Sequence, residues 1–187
     1  MTDEQVTLTR WTIHGERIVD DSRRARLSVA EVELPDGVRF EQYVIRAPLS
    51  AMVAVVDDRQ RLLLIRRHRF VFDQWVWELP GGYVDGQEEA AVCAAREVEE
   101  ETGWRPREVE QMLSFQPWVA TADAKNLLFL ARHADHMGAP VDVNEAERVA
   151  WIPLAEAREL VTRGEIVGAG TVIAVLELVA RQARGEL

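Results

Sequence analysis

The sequence predicts an α/β domain built around a mixed or mainly antiparallel sheet, with a small antiparallel β module at the N-terminus. Short β-rich and aliphatic runs dominate the first eighty residues. A segment rich in Ala, Glu and Arg, without Gly or Pro, then favours a long helix. With 187 residues, the chain has room for one sizeable domain and a small appendage.

The N-terminal module is predicted from a hairpin pattern. Apolar residues from Ala30 to Leu34 alternate with glutamates, Pro35-Asp36-Gly37 supplies turn chemistry, and Val38 to Ile45 is again β-rich. An isolated two-stranded hairpin is marginal in water, so its apolar face needs a cover. We therefore divide the chain into a β module at residues 1–48 and a main domain at residues 49–187.

The main domain is predicted to contain further strands and three helices. The strands fall at residues 51–56, 62–65, 75–79, 112–115, 127–131 and 149–152. The helices fall at residues 88–101, 154–163 and 172–184, and Gly103 with Pro106 ends the first of them. In the last helix, apolar residues at i, i+3, i+4 and i+7 form one core-facing stripe.

The charge balance restricts the class of partner. There are 22 Lys and Arg against 32 Asp and Glu, a net charge of −10, which argues against nucleic acid or an anionic membrane as a partner. An anionic small-molecule substrate would need bound cations. The apolar runs are too short to span a bilayer, and the first residues lack a signal-peptide pattern. We therefore expect a cytoplasmic protein, and the single cysteine forms no internal disulfide.

The most informative stretch is GYVDGQEEAAVCAAREVEEETGW, residues 82–104, with seven acidic residues and one arginine. Glu97, Glu100 and Glu101 share one helical face, where like charges are destabilising. A helix tolerates such a face when it is fully solvated or when a divalent cation binds it, and Mg²⁺ prefers carboxylate and carbonyl oxygens. The number of acidic residues alone favours a solvated face over a bound cation.

The spacing within this stretch favours the metal. Five residues separate Gly82 from Glu88, and seven separate Glu88 from Arg96-Glu97-Val98. After one more residue come Glu100-Glu101, and after another come Gly103 and a bulky residue. This spacing resembles the Nudix hydrolase signature. The resemblance implies hydrolysis of a nucleoside diphosphate linked to another moiety, with Mg²⁺ or Mn²⁺. It also implies an α/β/α sandwich around a mixed sheet, with the signature as a loop–helix–loop.

The resemblance assigns roles within the signature. The implied metal ligands are the Gly81 carbonyl and the carboxylates of Glu97, Glu100 and Glu101. Arg96 lies one helical turn from Glu100, so it can hold that carboxylate in place, and we group both with the catalytic residues. The negative charge of Glu88, in the first turn of the predicted helix, interacts favourably with the helix dipole. The resemblance adds a role for Glu88 in ordering the metal-binding loop.

Residues outside the signature resemble the ADP-ribose pyrophosphatase branch; they run from about Trp11 through the hairpin, then over Arg66–Phe70, Glu78–Gly82 and Gly164–Val179. In that branch the N-terminal strands form a homodimer that walls the substrate site. The implied substrate contacts are Arg69 and Glu78, with Phe70 and Trp118 among the aromatic residues that could stack on a base. The alternatives are a surface arginine, a strand-end carboxylate and core aromatic residues.

Two features leave alternatives open. Val119, Ala120 and Ala124 stand where ADP-ribose enzymes usually have proline, glycine and an acid, so another nucleotide sugar or a dinucleotide is an alternative substrate. Both Glu145 and Glu147 qualify as the loop base; Glu145 is slightly preferred, and either could be a solvated carboxylate. A Nudix-fold sensor without hydrolysis is the competing class, and the intact glutamate set argues against it.

Overall fold

A computed structural model describes residues 9–141 and 146–187. Its strands are β1 (Thr12–Asp20), β2 (Arg26–Glu33), β3 (Arg39–Arg46), β4 (Ser50–Val55), β5 (Arg61–Arg69), β6 (Gln74–Glu78), β7 (Gly81–Tyr83), β8 (Trp104–Arg107), β9 (Glu110–Phe115), β10 (Ala122–Asp123), β11 (Asn126–Ala131), β12 (His133–His136) and β13 (Arg148–Pro153). Its helices are α1 (Ala90–Thr102), α2 (Leu154–Arg163) and α3 (Ala169–Arg184). Within these described ranges, no helix is long and apolar enough to cross a membrane.

The chain forms two compact units. The first contains the described residues up to Pro48 together with Trp118–Ala124, and the second contains Leu49–Pro117 and Lys125–Leu187. In the first unit the strand order is β1-β2-β3-β10, and β2 pairs antiparallel with both β1 and β3. The predicted hairpin is confirmed, because β2 and β3 pair from Glu33 and Arg39 at the turn to Arg26 and Arg46.

The second unit is layered. Its mixed four-stranded sheet has the order β7-β4-β11-β9, with β4 and β11 parallel, and a second sheet has the antiparallel order β13-β5-β6. Helix α1 packs on one side, where Val53, Leu63 and Val98 are fully buried, and α2 and α3 pack on the other, with Leu64 and Leu178. The predicted α/β class with a sandwich architecture is confirmed.

The helix boundaries show where local sequence was sufficient. Helix α2 has the predicted bounds, α1 begins at Ala90 rather than at residue 88, and α3 begins at Ala169 rather than at residue 172. The start of α3 was missed because Gly170 is a poor helix former; the Met52 side chain packs where a Cβ at Gly170 would lie. Strands β8 and β12 were not predicted, because they are short and largely polar.

The end of α1 is fixed by backbone contacts as well as by sequence. Gly103 adopts a left-handed conformation with φ of 74°, and its N–H donates to the Glu99 carbonyl at 2.8 Å. The Met137 N–H donates to the Gly103 carbonyl at 2.8 Å, and the Val141 N–H donates to the Glu100 carbonyl at 3.0 Å. The chain after β12 is therefore attached to the last turn of α1.

Candidate active site

Two glycines bring strand β7 close to its neighbours. A Cβ at Gly81 would lie 2.5 Å from the Ala51 carbonyl oxygen of β4, and a Cβ at Gly82 would lie 2.8 Å from Oε2 of Glu97. A side chain at Gly81 would clash with the β4 backbone, and one at Gly82 would force the Glu97 carboxylate to move. The absence of both side chains lets the β7 backbone approach β4 and a carboxylate of α1 together.

Glu101 is the buried carboxylate of the signature. Its residue exposure is 4%, the Gly81 N–H donates to its Oε2 at 3.0 Å, and Arg67 donates to its Oε1. Burial raises the pKa of Glu101 to about 7, while the Arg67 charge acts in the opposite direction. Both oxygens of this carboxylate are therefore held by donors from strands β5 and β7.

Arg96 neutralises the other signature carboxylates. Its Nη1 lies 2.8 Å from Glu97 Oε1 and 2.7 Å from Glu100 Oε2, and its Nη2 lies 3.2 Å from Glu88 Oε2. The same contacts lower the pKa of Glu88 and raise that of Arg96. One guanidinium thus holds three carboxylates, which extends the predicted Arg96–Glu100 contact to Glu88 and Glu97.

The donor set suits a hard divalent cation. The carboxylates of Glu97 and Glu101 converge on the Gly81–Gly82 backbone, and carboxylate with carbonyl oxygen is the ligand chemistry of Mg²⁺ and Mn²⁺. Across residues 9–141 and 146–187, no three side chains are already gathered in a metal-ligating arrangement, and Arg67 and Arg96 supply the positive charge instead. Glu100 contacts Arg96 and is 44% exposed at its side chain.

The predicted substrate residues are divided between the units. Arg69 and Glu78, on adjacent strands of the second unit, form an ion pair with Nη2 to Oε2 at 2.6 Å and Nε to Oε2 at 3.0 Å. The Arg69 side chain is 43% exposed, and Phe70, the next residue, is 85% exposed. Trp118 is 54% exposed and belongs to the first unit.

Of the two predicted loop bases, only Glu147 lies within the described residues, and Glu145 lies outside them. The Glu147 carboxylate is 3.0 Å from Arg66 Nη1, and its N–H donates to the Arg66 carbonyl at 2.8 Å. The residue is therefore attached to β5 by both its backbone and its side chain.

Arg67 is the residue to which sequence reasoning assigned no role. Only 9% of the residue is exposed, and besides its contact with Glu101 its Nε lies 3.7 Å from Glu78 Oε2. The available signal was an arginine two residues after Ile65, which ends an aliphatic run, and therefore on the same strand face as Ile65. An ionised residue at such a position needs a partner, and the partners are carboxylates.

The family model for the NUDIX domain matches residues 46–170. The chain therefore belongs to the Nudix family, whose hydrolases generally use divalent metals. The CMP-5'-(N-acetyl-N-hydroxy-3-aminopropyl)phosphonate hydrolase of Streptomyces rubellomurinus (strain ATCC 31215) is 49% identical over 180 residues, covering 94% of this chain and 87% of that protein.

A second relative is an ADP-ribose pyrophosphatase, and a solved structure shares the fold. The ADP-ribose pyrophosphatase of Bacillus subtilis (strain 168) is 26% identical over 182 residues, covering 96% of this chain and 95% of that protein. A crystal structure described as an ADP compounds hydrolase shares the fold, with a TM-score of 0.82 at 22% identity over 97% of this chain and 99% of the other. The protein is a Nudix hydrolase that resembles ADP-ribose pyrophosphatases.

Proposed function

We propose that this Nudix hydrolase uses Mg²⁺ or Mn²⁺ to split a phosphoanhydride that joins a nucleoside 5'-monophosphate to a second group. ADP-ribose and related nucleoside diphosphate sugars are the first candidates, and their products are a nucleoside monophosphate and a sugar phosphate. The observation that carries the proposal is the convergence of Glu97 and Glu101 on the Gly81–Gly82 backbone, beside Arg96. A sheet-to-helix junction of this kind presents hard oxygen ligands to a cation.

A second substrate class has its own support. The relative that is 49% identical is named for a CMP group attached to a phosphonate, so a nucleoside monophosphate joined to a phosphonate is a candidate beside the nucleotide sugars. The unusual residues Val119, Ala120 and Ala124 agree with a substrate other than ADP-ribose. Both classes undergo the same net change: water adds across the bridge, its oxygen stays on one product, and the bridging oxygen stays on the other.

The proposed division of labour rests on the family resemblance together with the contacts. Glu97, Glu101 and the Gly81 carbonyl would hold the cation, with Glu100 as an additional ligand. When bound, a divalent cation neutralises phosphate charge and makes a bound water more acidic. Arg96 keeps Glu97 and Glu100 oriented, because it contacts both.

The remaining residues bind the organic parts of the substrate and handle the proton. Arg69 is exposed enough to contact a phosphate or ribose oxygen. Glu78 orients the Arg69 guanidinium by accepting two hydrogen bonds from Nε and one from Nη2. Phe70 and Trp118 are the aromatic residues for base stacking. The proton of the attacking water passes to Glu145 or Glu147. The cytoplasmic location and the homodimer remain predictions.

A substrate panel tests the proposal. The full-length protein is incubated with ADP-ribose, other nucleoside diphosphate sugars, a dinucleotide and a CMP–phosphonate anhydride, each with Mg²⁺, Mn²⁺ or EDTA. We expect turnover of at least one class, lost in EDTA, and mass spectrometry in H₂¹⁸O identifies which product takes the water oxygen. If one compound binds tightly and no compound is hydrolysed, the result would favour a Nudix-fold sensor instead.

A further inference from the structure

Arg67 forms a buried bridge between two parts of the site. Its Nη2 donates to Glu101, and its Nε lies 3.7 Å from Oε2 of Glu78, with side-chain exposures of 11%, 5% and 14% for the three residues. Arg69 contacts the same Glu78 from the more exposed side. Positive and negative side chains therefore alternate from the exposed surface inwards, in the order Arg69, Glu78, Arg67 and Glu101.

The position of Arg67 conflicts with the proposed role of Glu101. A guanidinium and a divalent cation repel each other strongly at short range in a partly dehydrated site. A buried guanidinium that loses its partner is costly, so it remains stable only if another carboxylate takes over. The carboxylate of Glu78 is already close to the guanidinium of Arg67. The two can pair while Arg67 stays on the same face of its strand.

We propose that Arg67 is a positioning residue that serves as the resident counter-cation of Glu101 in the metal-free protein. An incoming divalent cation displaces the guanidinium from Glu101, and Glu78 retains it. This inference rests on the proposed function, in which Glu101 is a metal ligand. Arg67 therefore stabilises the metal-free fold and lowers the affinity for metal alone, so that tight metal binding requires the added negative charge of the substrate.

The test is Mn²⁺ binding to the full-length protein without substrate, measured by calorimetry or by the electron paramagnetic resonance of free Mn²⁺. Arg67→Gln removes the competing charge, and we expect it to bind Mn²⁺ at least about tenfold more tightly than the wild type. Its melting temperature should fall without metal and approach the wild-type value at saturating Mn²⁺. A structural role alone would lower the melting temperature equally in both conditions.

Arg61→Gln is the matched control. Arg61 lies on the same strand and pairs with Asp57 at 2.6 Å rather than with a glutamate of the signature. This variant should keep wild-type Mn²⁺ affinity, and any loss of stability should be the same with and without metal. Unchanged or weaker Mn²⁺ binding by Arg67→Gln would overturn the inference.

Two further variants keep the test decisive. If Arg67→Gln does not fold, Glu78→Gln takes its place in the test. This substitution removes the second partner of Arg67, so we expect Mn²⁺ to bind at least about threefold more weakly. Unchanged Mn²⁺ binding would reject the inference. Glu101→Gln separates the two proposals. Wild-type Mn²⁺ affinity in this variant would refute Glu101 as a ligand, whereas weaker binding there with no change in Arg67→Gln would refute only the role of Arg67.

Discussion

Arg67 and Arg96 divide the signature carboxylates between a buried and an accessible group. Arg96, 38% exposed at its side chain, holds Glu88, Glu97 and Glu100, whereas Arg67 holds Glu101 below the surface. The buried carboxylate has donors on both oxygens, whereas the exposed ones have more freedom to follow a ligand. We therefore expect replacement of Glu101 to affect turnover most.

At Glu101, conversion to Gln keeps the shape of the side chain and removes the charge. We expect kcat to fall by at least about a hundredfold while the protein stays folded, because cation placement carries the catalysis. Steady-state kinetics at saturating Mg²⁺ and circular dichroism measure the two properties. Glu99→Gln is the control, since Glu99 lies on the same helix and pairs with Arg105; near wild-type turnover in Glu101→Gln would remove this residue from the mechanism.

At the loop base, two substitutions are compared. Glu145→Gln should lower kcat by roughly 10²–10⁴ with little change in metal affinity, because a general base acts on the water and not on the cation. Glu147→Gln should do much less, since its carboxylate already pairs with Arg66. The reverse order of effects would transfer the role to Glu147, and two silent variants would show that neither glutamate is the base.

Among these residues, the spacing along the sequence predicted the contact of Arg96 with Glu100 but not the contact of Arg67 with Glu101. Arg96 and Glu100 are four residues apart on one helix, so the contact follows from helix geometry. Arg67 and Glu101 are 34 residues apart, on a strand and a helix, and their contact depends on the packing of α1 against the sheet. Pattern analysis contains no information about that packing, so the partner of Arg67 could not be predicted.

Strand β7 is the element on which the site depends most. It is three residues long, and it pairs with β4 through Met52 and Gly81, Ala51 and Gly82, and Ser50 and Tyr83. In the sequence, Pro80-Gly81-Gly82 is typical of a turn. A strand of three residues has no periodicity to detect, so pattern analysis does not predict β7.

Alanine substitutions test the glycine contacts of β7. Gly82→Ala places a Cβ against the Glu97 carboxylate, so we expect a folded protein with kcat lowered about tenfold or more. Gly81→Ala meets the β4 backbone and should also destabilise the fold, by about 1–3 kcal/mol. Kinetics and chemical denaturation give these quantities. Gly15→Ala is the control because its Cβ meets nothing within 4 Å; equal effects at Gly15 and Gly82 would contradict this account.

For the whole molecule, the first unit presents an unusual surface. Every residue of β1 is exposed, including Ile13 at 65%, and Tyr43 of β3 is 62% exposed. Apolar side chains on a paired strand of this kind are typical of a protein interface. A two-fold symmetric homodimer through this unit is what the family resemblance predicts.

Light scattering at tens of micromolar tests the assembly, and a monomer there would reject the homodimer. Deletion of residues 1–46 should give a monomer or an aggregate with much weakened substrate binding, although all signature carboxylates remain. An unchanged KM in a soluble truncation would show that residues 49–187 build the whole site. The double variant Ile13→Glu, Ile18→Glu should separate the subunits without removing a strand.

The composition of the first unit was predictable only in part. Its hairpin follows from alternation and turn chemistry within sixteen residues. Trp118–Ala124 joins the same unit through β10, whose two residues pair in parallel with Ile45 and Arg46 of β3. A two-residue strand more than seventy positions away leaves no pattern in the sequence, because its pairing is decided by where the chain returns after β9.

The attachment of the chain after β12 to the last turn of α1 limits how the length of this protein can change. Val141 is hydrogen-bonded to Glu100 and Glu147 to Arg66, so the five residues between them connect two fixed points. Six peptide steps reach at most about 20 Å, and each deletion shortens that reach, whereas an insertion adds little closure entropy. An insertion between Val141 and Glu147 should therefore be tolerated more readily than a deletion, which shortens the reach between the signature helix and β5.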